Sequence, residues 1–208
     1  MPVADFPLGP LQTNSYLLHN DTLAIAVDVG GDPAPMLDYL VGHKLRLTAV
    51  CITHRHFDHL YGVSALAGAT AAPVYAPTGD DSLAATESGQ GGIWGFPPVT
   101  PFDSLPMPTG KASFCGMDCE VLQTPGHTPG GISLYFPAEN LVFTGDTLFY
   151  RSIGRTDFPG GDHAALLRSI TGTLFCLPPE TLVYPGHGPA TRIEDECEHN
   201  PFCGSFTQ

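Results

Sequence analysis

Residues 53–59 read Thr-His-Arg-His-Phe-Asp-His and follow the apolar run Leu47-Thr48-Ala49-Val50-Cys51-Ile52. A six-residue apolar run bounded by polar residues reads as a buried strand. Three imidazoles and a carboxylate, His54, His56, Asp58 and His59, therefore follow a strand end. If the strand ends near Thr53, alternation turns His54 and His56 the same way, and Asp58 and His59 open a helix over about 59–67. Neutral imidazole and carboxylate suit zinc, manganese or iron. Four candidate ligands exceed the three protein ligands of a typical mononuclear catalytic zinc, so the spacing points to two metals. A solvated histidine loop has the same local composition, and the downstream sequence argues against it.

Three later segments share one form: an apolar strand, then a glycine beside a potential ligand. They are Leu122-Gln123-Thr124-Pro125-Gly126-His127, Val142-Phe143-Thr144-Gly145-Asp146 and Val183-Tyr184-Pro185-Gly186-His187. Glycine lets backbone pass close to a ligand or to another strand.

Around these motifs the chain alternates strands and helices. Strands are expected at Asn14–His19 and Leu23–Asp28 with an Asn20-Asp21 turn, then a helix from Ala34 to Gly42 started by Pro33 and Pro35. Further strands are expected at 73–76, 119–122, 132–136, 141–144 and 181–184, with a helix at about 162–176. Each half runs strands, helix, strand, which suits two sheets packed face to face with helices outside. At 208 residues with 42% apolar content, a single domain over 1–208 is expected. Residues 77–110 are irregular, rich in Gly and Pro, and carry Trp94 and Phe96. Such a loop serves as a wall or lid over a site, or as an Ω-loop packed on its own aromatics.

The balance of 8 basic and 21 acidic residues gives a net charge of −13, which argues against nucleic acid or an anionic membrane as partner. No apolar run approaches a membrane span, and Met1–Pro7 lacks the pattern of a signal peptide, so a cytoplasmic protein is expected. The cysteines at 51, 115, 119, 176, 197 and 203 are then expected to be reduced. With so few cations, Arg155 is the leading substrate anchor, its rival role being a salt bridge to Asp157. Arg55 is expected to point away from the ligands, and Tyr150 and Arg151 are weaker candidates. His19, His43, His163 and His199 read as ordinary surface or loop residues.

The His-x-His-x-Asp-His motif followed by His127, Asp146 and His187 resembles the metallo-β-lactamase superfamily at all seven ligand positions. Within it the chain is similar to the glyoxalase II-like (hydroxyacylglutathione hydrolase-like) group. Gly9-Pro10-Leu11-Gln12-Thr13-Asn14, Gly154-Arg155-Thr156-Asp157-Phe158, Tyr184–Pro189 and Asn200-Pro201-Phe202 carry that likeness. Only 21 residues follow His187, so the chain looks like the short bacterial form without the C-terminal helical extension. The resemblance implies an α/β, four-layer αβ/βα sandwich of two mixed sheets. It implies a first metal on His54, His56 and His127 and a second on Asp58, His59 and His187, with Asp146 and a water or hydroxide bridging. The ions are expected to be zinc, with iron or manganese as alternatives. Asp58 and Asp146 would then serve catalysis through metal-bound hydroxide, not as free bases.

The activity implied is hydrolysis of S-acylglutathione-like thioesters. The alternative is a persulfide dioxygenase with one iron on His54, His127 and Asp146. A metal-binding protein without catalysis is the reading outside enzymes. A β-lactam hydrolase is disfavoured by the expected absence of an export signal and by aspartate at 146, where many such enzymes use cysteine.

Overall fold

Strand pairing begins at the N-terminus of the computed structural model, which describes residues 1–93, 95–114 and 116–205. Trp94 and Cys115 lie outside the described residues. The chain divides into two compact units, one of Met1–Met107 with Ser113–Met117, the other of Pro108–Ala112 with Asp118–Gln208.

The first unit opens with β1 (Val3–Leu8), β2 (Thr13–His19) and β3 (Leu23–Val27), an antiparallel meander. β1 was not expected from the sequence; its Pro7 is tolerated because β1 is an edge strand. Helix α1 (Ala34–Gly42) crosses over to β4 (Arg46–Cys51), which pairs parallel with β3. Helix α2 (Val63–Thr70) leads to β5 (Val74–Ala76), and after a short helix α3 (Glu87–Gln90) comes β6 (Leu105–Pro106). Sheet order is β1-β2-β3-β4-β5-β6. The core gathers Leu17, Val50, Ile52, Met36, Val63 and Leu66. The parallel strands point their C-terminal ends one way, the edge at which α/β sheets place ligands. Asp28 follows β3 there, and the histidine motif follows β4.

The helix expected over 59–67 begins later. Phe57–His59 form a 3₁₀ turn, and α2 starts at Val63. The His59 carbonyl accepts from the Val29 amide at 3.0 Å, and the Gly62 amide donates to the Val29 carbonyl at 2.9 Å. Those groups are engaged by the loop after β3, so no α-helix can use them. A Cβ at Gly62 would meet the Gly31 carbonyl oxygen at 2.0 Å, which is why glycine stands at this crossing.

The second unit carries β7 (Gly110–Phe114), β8 (Met117–Gln123), β9 (Ile132–Phe136), β10 (Leu141–Gly145) and the small hairpin of β11 (Leu148–Phe149) and β12 (Ser152–Ile153). Helix α4 (His163–Gly172), β13 (Leu182–Pro185), β14 (Thr191–Arg192) and α5 (Ile193–His199) complete it. Sheet order is β14-β13-β10-β9-β8-β7, again mixed, with β10 and β13 parallel. Helix α4 starts where the Asp162 carboxylate accepts from the Ala165 amide at 2.9 Å, and it buries Leu166, Ser169 and Ile170 on one face. It stops at Gly172, short of the expected 176, and Leu174–Cys176 continue as a 3₁₀ turn.

Two glycines test this packing. Gly126 has φ of 136°, and a Cβ there would lie 2.2 Å from the Leu166 amide nitrogen. Gly126→Ala should destabilise the fold by at least about 2 kcal/mol through strain and overpacking. Gly68 lies within α2 with open space around it, so Gly68→Ala should stabilise by roughly 0.5–1 kcal/mol. Urea unfolding of both variants checks the pair; a neutral Gly126→Ala would contradict the described approach to α4.

Candidate metal centre

In the first unit the side chains of His54, His56, Asp58 and His59 are all buried. The His54 ring lies 4.9 Å from the His56 ring and 4.1 Å from the His59 ring, centre to centre. Buried imidazoles need partners, and Asp28 supplies them. Its backbone takes the left-handed conformation, φ 53°, at the end of β3. One carboxylate oxygen accepts from the Thr53 amide at 2.8 Å. The other lies 2.7 Å from Thr53 Oγ1 and 2.8 Å from His59 Nδ1. Thr53 Oγ1 in turn lies 3.1 Å from His54 Nδ1.

These contacts assign protons. A carboxylate only accepts, so His59 Nδ1 carries the hydrogen and, in the neutral ring, Nε2 keeps the lone pair. Thr53 donates its hydroxyl hydrogen to Asp28, so it accepts from His54 Nδ1, and His54 Nε2 likewise keeps a lone pair. The Nε2 atoms of His54, His56 and His59 are all buried. Thr13 Oγ1 donates to Asp58 Oδ2 at 3.2 Å and holds that carboxylate.

Arg55 points away from its histidine neighbours, as expected from the sequence. Its amide donates to the fully buried Asp80 at 3.1 Å, and its guanidinium donates to Ser104 at 2.9 Å and pairs with Asp81 at 3.3 Å. The 77–110 segment is thereby tied to the histidine motif. Phe96 packs on Phe57, ring centres 5.4 Å apart, so the segment does not pack only on itself. Tyr61 also contacts Phe57; burial, aided by the Asp58 carboxylate, pushes its hydroxyl up to about 12.

In the second unit His127, Asp146 and His187 each follow a strand end. The β10–β13 register shifts between Phe143 and Gly145, and the Gly186 amide donates to the Gly145 carbonyl at 2.8 Å. Asp146 Oδ2 consequently stands 3.6 Å from both His127 Nε2 and His187 Nε2. His127 Nδ1 lies 2.7 Å from the Arg155 carbonyl oxygen, which can only accept, so Nδ1 carries the hydrogen and the neutral ring has its lone pair on Nε2. Gly154 lets the backbone pass: a Cβ there would lie 1.9 Å from the Asp146 carbonyl oxygen and 3.3 Å from the His127 Cβ.

The Arg155 guanidinium donates to both oxygens of Asp157 at 2.7 Å and stacks 3.9 Å from the Phe158 ring centre. Hydrogen bonding from Arg155 holds the Asp157 carboxyl down at about 2. Both side chains are largely exposed, so solvent screens the pair. Because the folded value lies below that of an unfolded aspartate, the pair's contribution is complete above about pH 4 and fades as pH falls through about 2. Arg151 turns elsewhere, to Glu196.

Neutral imidazole nitrogens and carboxylate oxygens are the donors of zinc, iron and manganese sites, and three imidazoles are held through Nδ1. The donor set fits a divalent metal. Sequence reasoning missed Asp28, Thr53, Thr13 and the Arg155 carbonyl. Asp28 had a signal, an acid just past an apolar strand and before Gly30-Gly31; a backbone carbonyl has none.

The model of the metallo-β-lactamase superfamily matches residues 8–187. The chain belongs to that superfamily. It is 37% identical to the probable metallo-hydrolase YqgX of Bacillus subtilis, covering 97% of each chain. It is 31% identical to the hydroxyacylglutathione hydrolase GloC of Haemophilus influenzae, covering 99% of each. Among solved structures, BLEG-1 B3 metallo-β-lactamase is similar at TM-score 0.90 and 39% identity, over 97% of this chain and 99% of that one. TTHA1623 in a di-iron-bound form gives 0.85 and 38%, over 96% and 99%. ETHE1 from Myxococcus xanthus gives 0.79 and 32%, over 98% and 84%. The chain has the metallo-β-lactamase fold, α/β with two mixed sheets and helices, and the superfamily binds metal ions.

Because Asp28 orients two imidazoles, Asp28→Ala should weaken zinc binding by roughly 10–100-fold, the usual effect of losing a carboxylate behind a ligand histidine. Competition with a chromophoric chelator measures this, and unchanged affinity would remove Asp28 from the account.

Proposed function

We propose that this chain is a metal-dependent hydrolase of S-acylglutathione-like thioesters. The observation that carries the reading is the likeness to GloC, which spans 99% of both chains. In this reading His54, His56 and His127 hold one divalent ion and Asp58, His59 and His187 a second, with Asp146 shared. Zinc is the proposed metal, with iron or manganese as alternatives. When bound, such a pair of ions makes nucleophilic water available near neutral pH and polarises a carbonyl oxygen.

The chain's own residues do the positioning. Asp28, Thr53 and the Arg155 carbonyl keep His59, His54 and His127 in the tautomer that offers Nε2. Asp146 presents one oxygen 3.6 Å from each of two imidazoles, which supports the reading of it as the shared ligand. Thr13 fixes Asp58 in its ligand role. A thiolate leaving group, with a free pKa of about 8.5, departs with little help from a general acid. Arg155 is the proposed anchor for a substrate carboxylate: its guanidinium is exposed, and Asp157 holds it with a screened surface pair that an incoming carboxylate can replace. The net charge of −13 leaves nucleic acid and anionic membranes outside the proposed partners, and no helix among the described residues is long and apolar enough to cross a membrane. We place the activity in the cytoplasm.

The likeness to ETHE1 favours a second reading, a persulfide dioxygenase with one iron on His54, His127 and Asp146. The likeness to BLEG-1 adds a β-lactam to the substrates tested. Protein purified at native expression level is assayed for metal content, S-lactoylglutathione hydrolysis, oxygen uptake on glutathione persulfide, and β-lactam opening. Thioester hydrolysis is expected, and Asp146→Asn should lower kcat at least about 100-fold, since an amide lacks the charge to bridge two cations. Oxygen uptake without hydrolysis establishes the second reading, and β-lactam opening alone would replace the thioester. No turnover by fully loaded protein leaves a metal-binding protein without catalysis.

A further inference from the structure

In the second unit, α5 carries an acid inside the protein. Glu196 is fully buried. Its carboxylate accepts from four donors: the Arg151 amide at 2.9 Å, Arg151 Nη1 at 3.2 Å, Thr191 Oγ1 at 2.7 Å and Asn200 Nδ2 at 2.8 Å. Burying an ion pair is a poor route to stability compared with apolar packing. A buried carboxylate that collects donors from three segments instead fixes those segments relative to one another.

The segment it fixes is the turn of the β11–β12 hairpin. Arg151 sits in the left-handed region at φ 53°, a conformation that a non-glycine residue keeps only when its surroundings hold it. Glu196 accepts the amide of that same residue, and Arg151 Nη1 also donates to the Asp195 carbonyl. One residue on, the Ser152 carbonyl accepts from Asn200 Nδ2 at 3.1 Å, and Asn200 is itself bonded to Glu196. A single carboxylate thus secures Arg151 directly and Ser152, the first residue of β12, through Asn200. The hairpin then runs into Gly154, whose backbone lies against Asp146 and His127, and into Arg155, whose carbonyl takes the His127 Nδ1 hydrogen. A backbone carbonyl cannot be aimed by its own side chain, only by the conformation of the segment that carries it.

We propose that Glu196 is a positioning residue for His127, acting through Arg151, Asn200 and the β11–β12 hairpin on the Arg155 carbonyl. Its effect on metal affinity rests on the reading of His127 as a metal ligand. The proposal also assigns a role to Asn200, which the sequence singled out and the site itself does not use.

Two readouts test it on the full chain. In metal-free protein, nitrogen-15 NMR of the imidazoles reports the His127 tautomer. In the same preparations, competition with a chromophoric chelator reports the zinc dissociation constant. Glu196→Gln keeps the shape but replaces one accepting oxygen with a donor; Arg151→Met is the second variant should the first fail to fold, as judged by circular dichroism. The expected result is loss of the single Nδ1-protonated form of His127 and roughly 10–100-fold weaker zinc binding. A lowered Tm with the His127 tautomer and zinc affinity both unchanged would make Glu196 purely structural and overturn the proposal. A shifted tautomer with unchanged zinc affinity, matched by unchanged affinity in His127→Ala, would instead overturn the ligand assignment on which the metal effect depends.

Discussion

An imidazole can offer its Nε2 lone pair to a cation only when its other nitrogen holds the proton and something fixes that hydrogen. The Asp28–His59 hydrogen bond, 2.8 Å in a fully buried environment, meets this requirement most directly. Much of the first unit's local structure follows from it. Asp28 must stand at the end of β3 in a left-handed conformation, Thr53 must follow β4 closely enough to bond it twice, and the 3₁₀ turn must bring His59 back over β3. The glycines at 30 and 62 permit that approach: a Cβ at 30 would lie 2.8 Å from the Asp58 carbonyl, and one at 62 would strike Gly31. The late start of α2 is the local consequence, since Val29 takes the hydrogen bonds a longer helix would need.

The two units solve the same problem with different chemistry. In the first, a side-chain carboxylate and a hydroxyl fix the ring tautomers. In the second, a backbone carbonyl does so, and its placement is delegated to a hairpin and to what holds the hairpin. These solutions differ in how they fail. The carboxylate device is removed by one substitution at its own position. The carbonyl device survives any substitution of the Arg155 side chain that leaves the backbone in place, and is sensitive to residues that set the hairpin's conformation. Arg155 accordingly carries two separable parts, a carbonyl turned to His127 and an exposed guanidinium turned to Asp157.

Much of this was legible in the chain because the candidate ligands sit at the ends of strongly apolar strands. The runs before Thr53, Gly126, Gly145 and Gly186 announce the strands, and Gly126 marks a close approach to α4. What was not legible has a common cause. Pro7 conceals β1 by looking like a strand breaker; the acidic α5 has little apolar periodicity to announce it; the two-residue strands β11 and β12 are too short for any pattern. Two of the partners behind the histidines were hidden because they depend on contacts between segments distant in sequence: Asp28 lies 31 residues from His59, and the Arg155 carbonyl 28 from His127. Asp157 was visible as a rival partner for Arg155 only because it is two residues away.

In the proposed reading these histidines and aspartates are held to bind a pair of metal ions. Metal-free protein titrated with zinc, with the bound metal counted by mass spectrometry after gel filtration, tests it most directly. Two ions per chain are expected in wild type, with His187→Ala losing one of them and Asp146→Ala losing tight binding of both. A stoichiometry of one ion, unchanged in His187→Ala and Asp58→Ala, would contradict it.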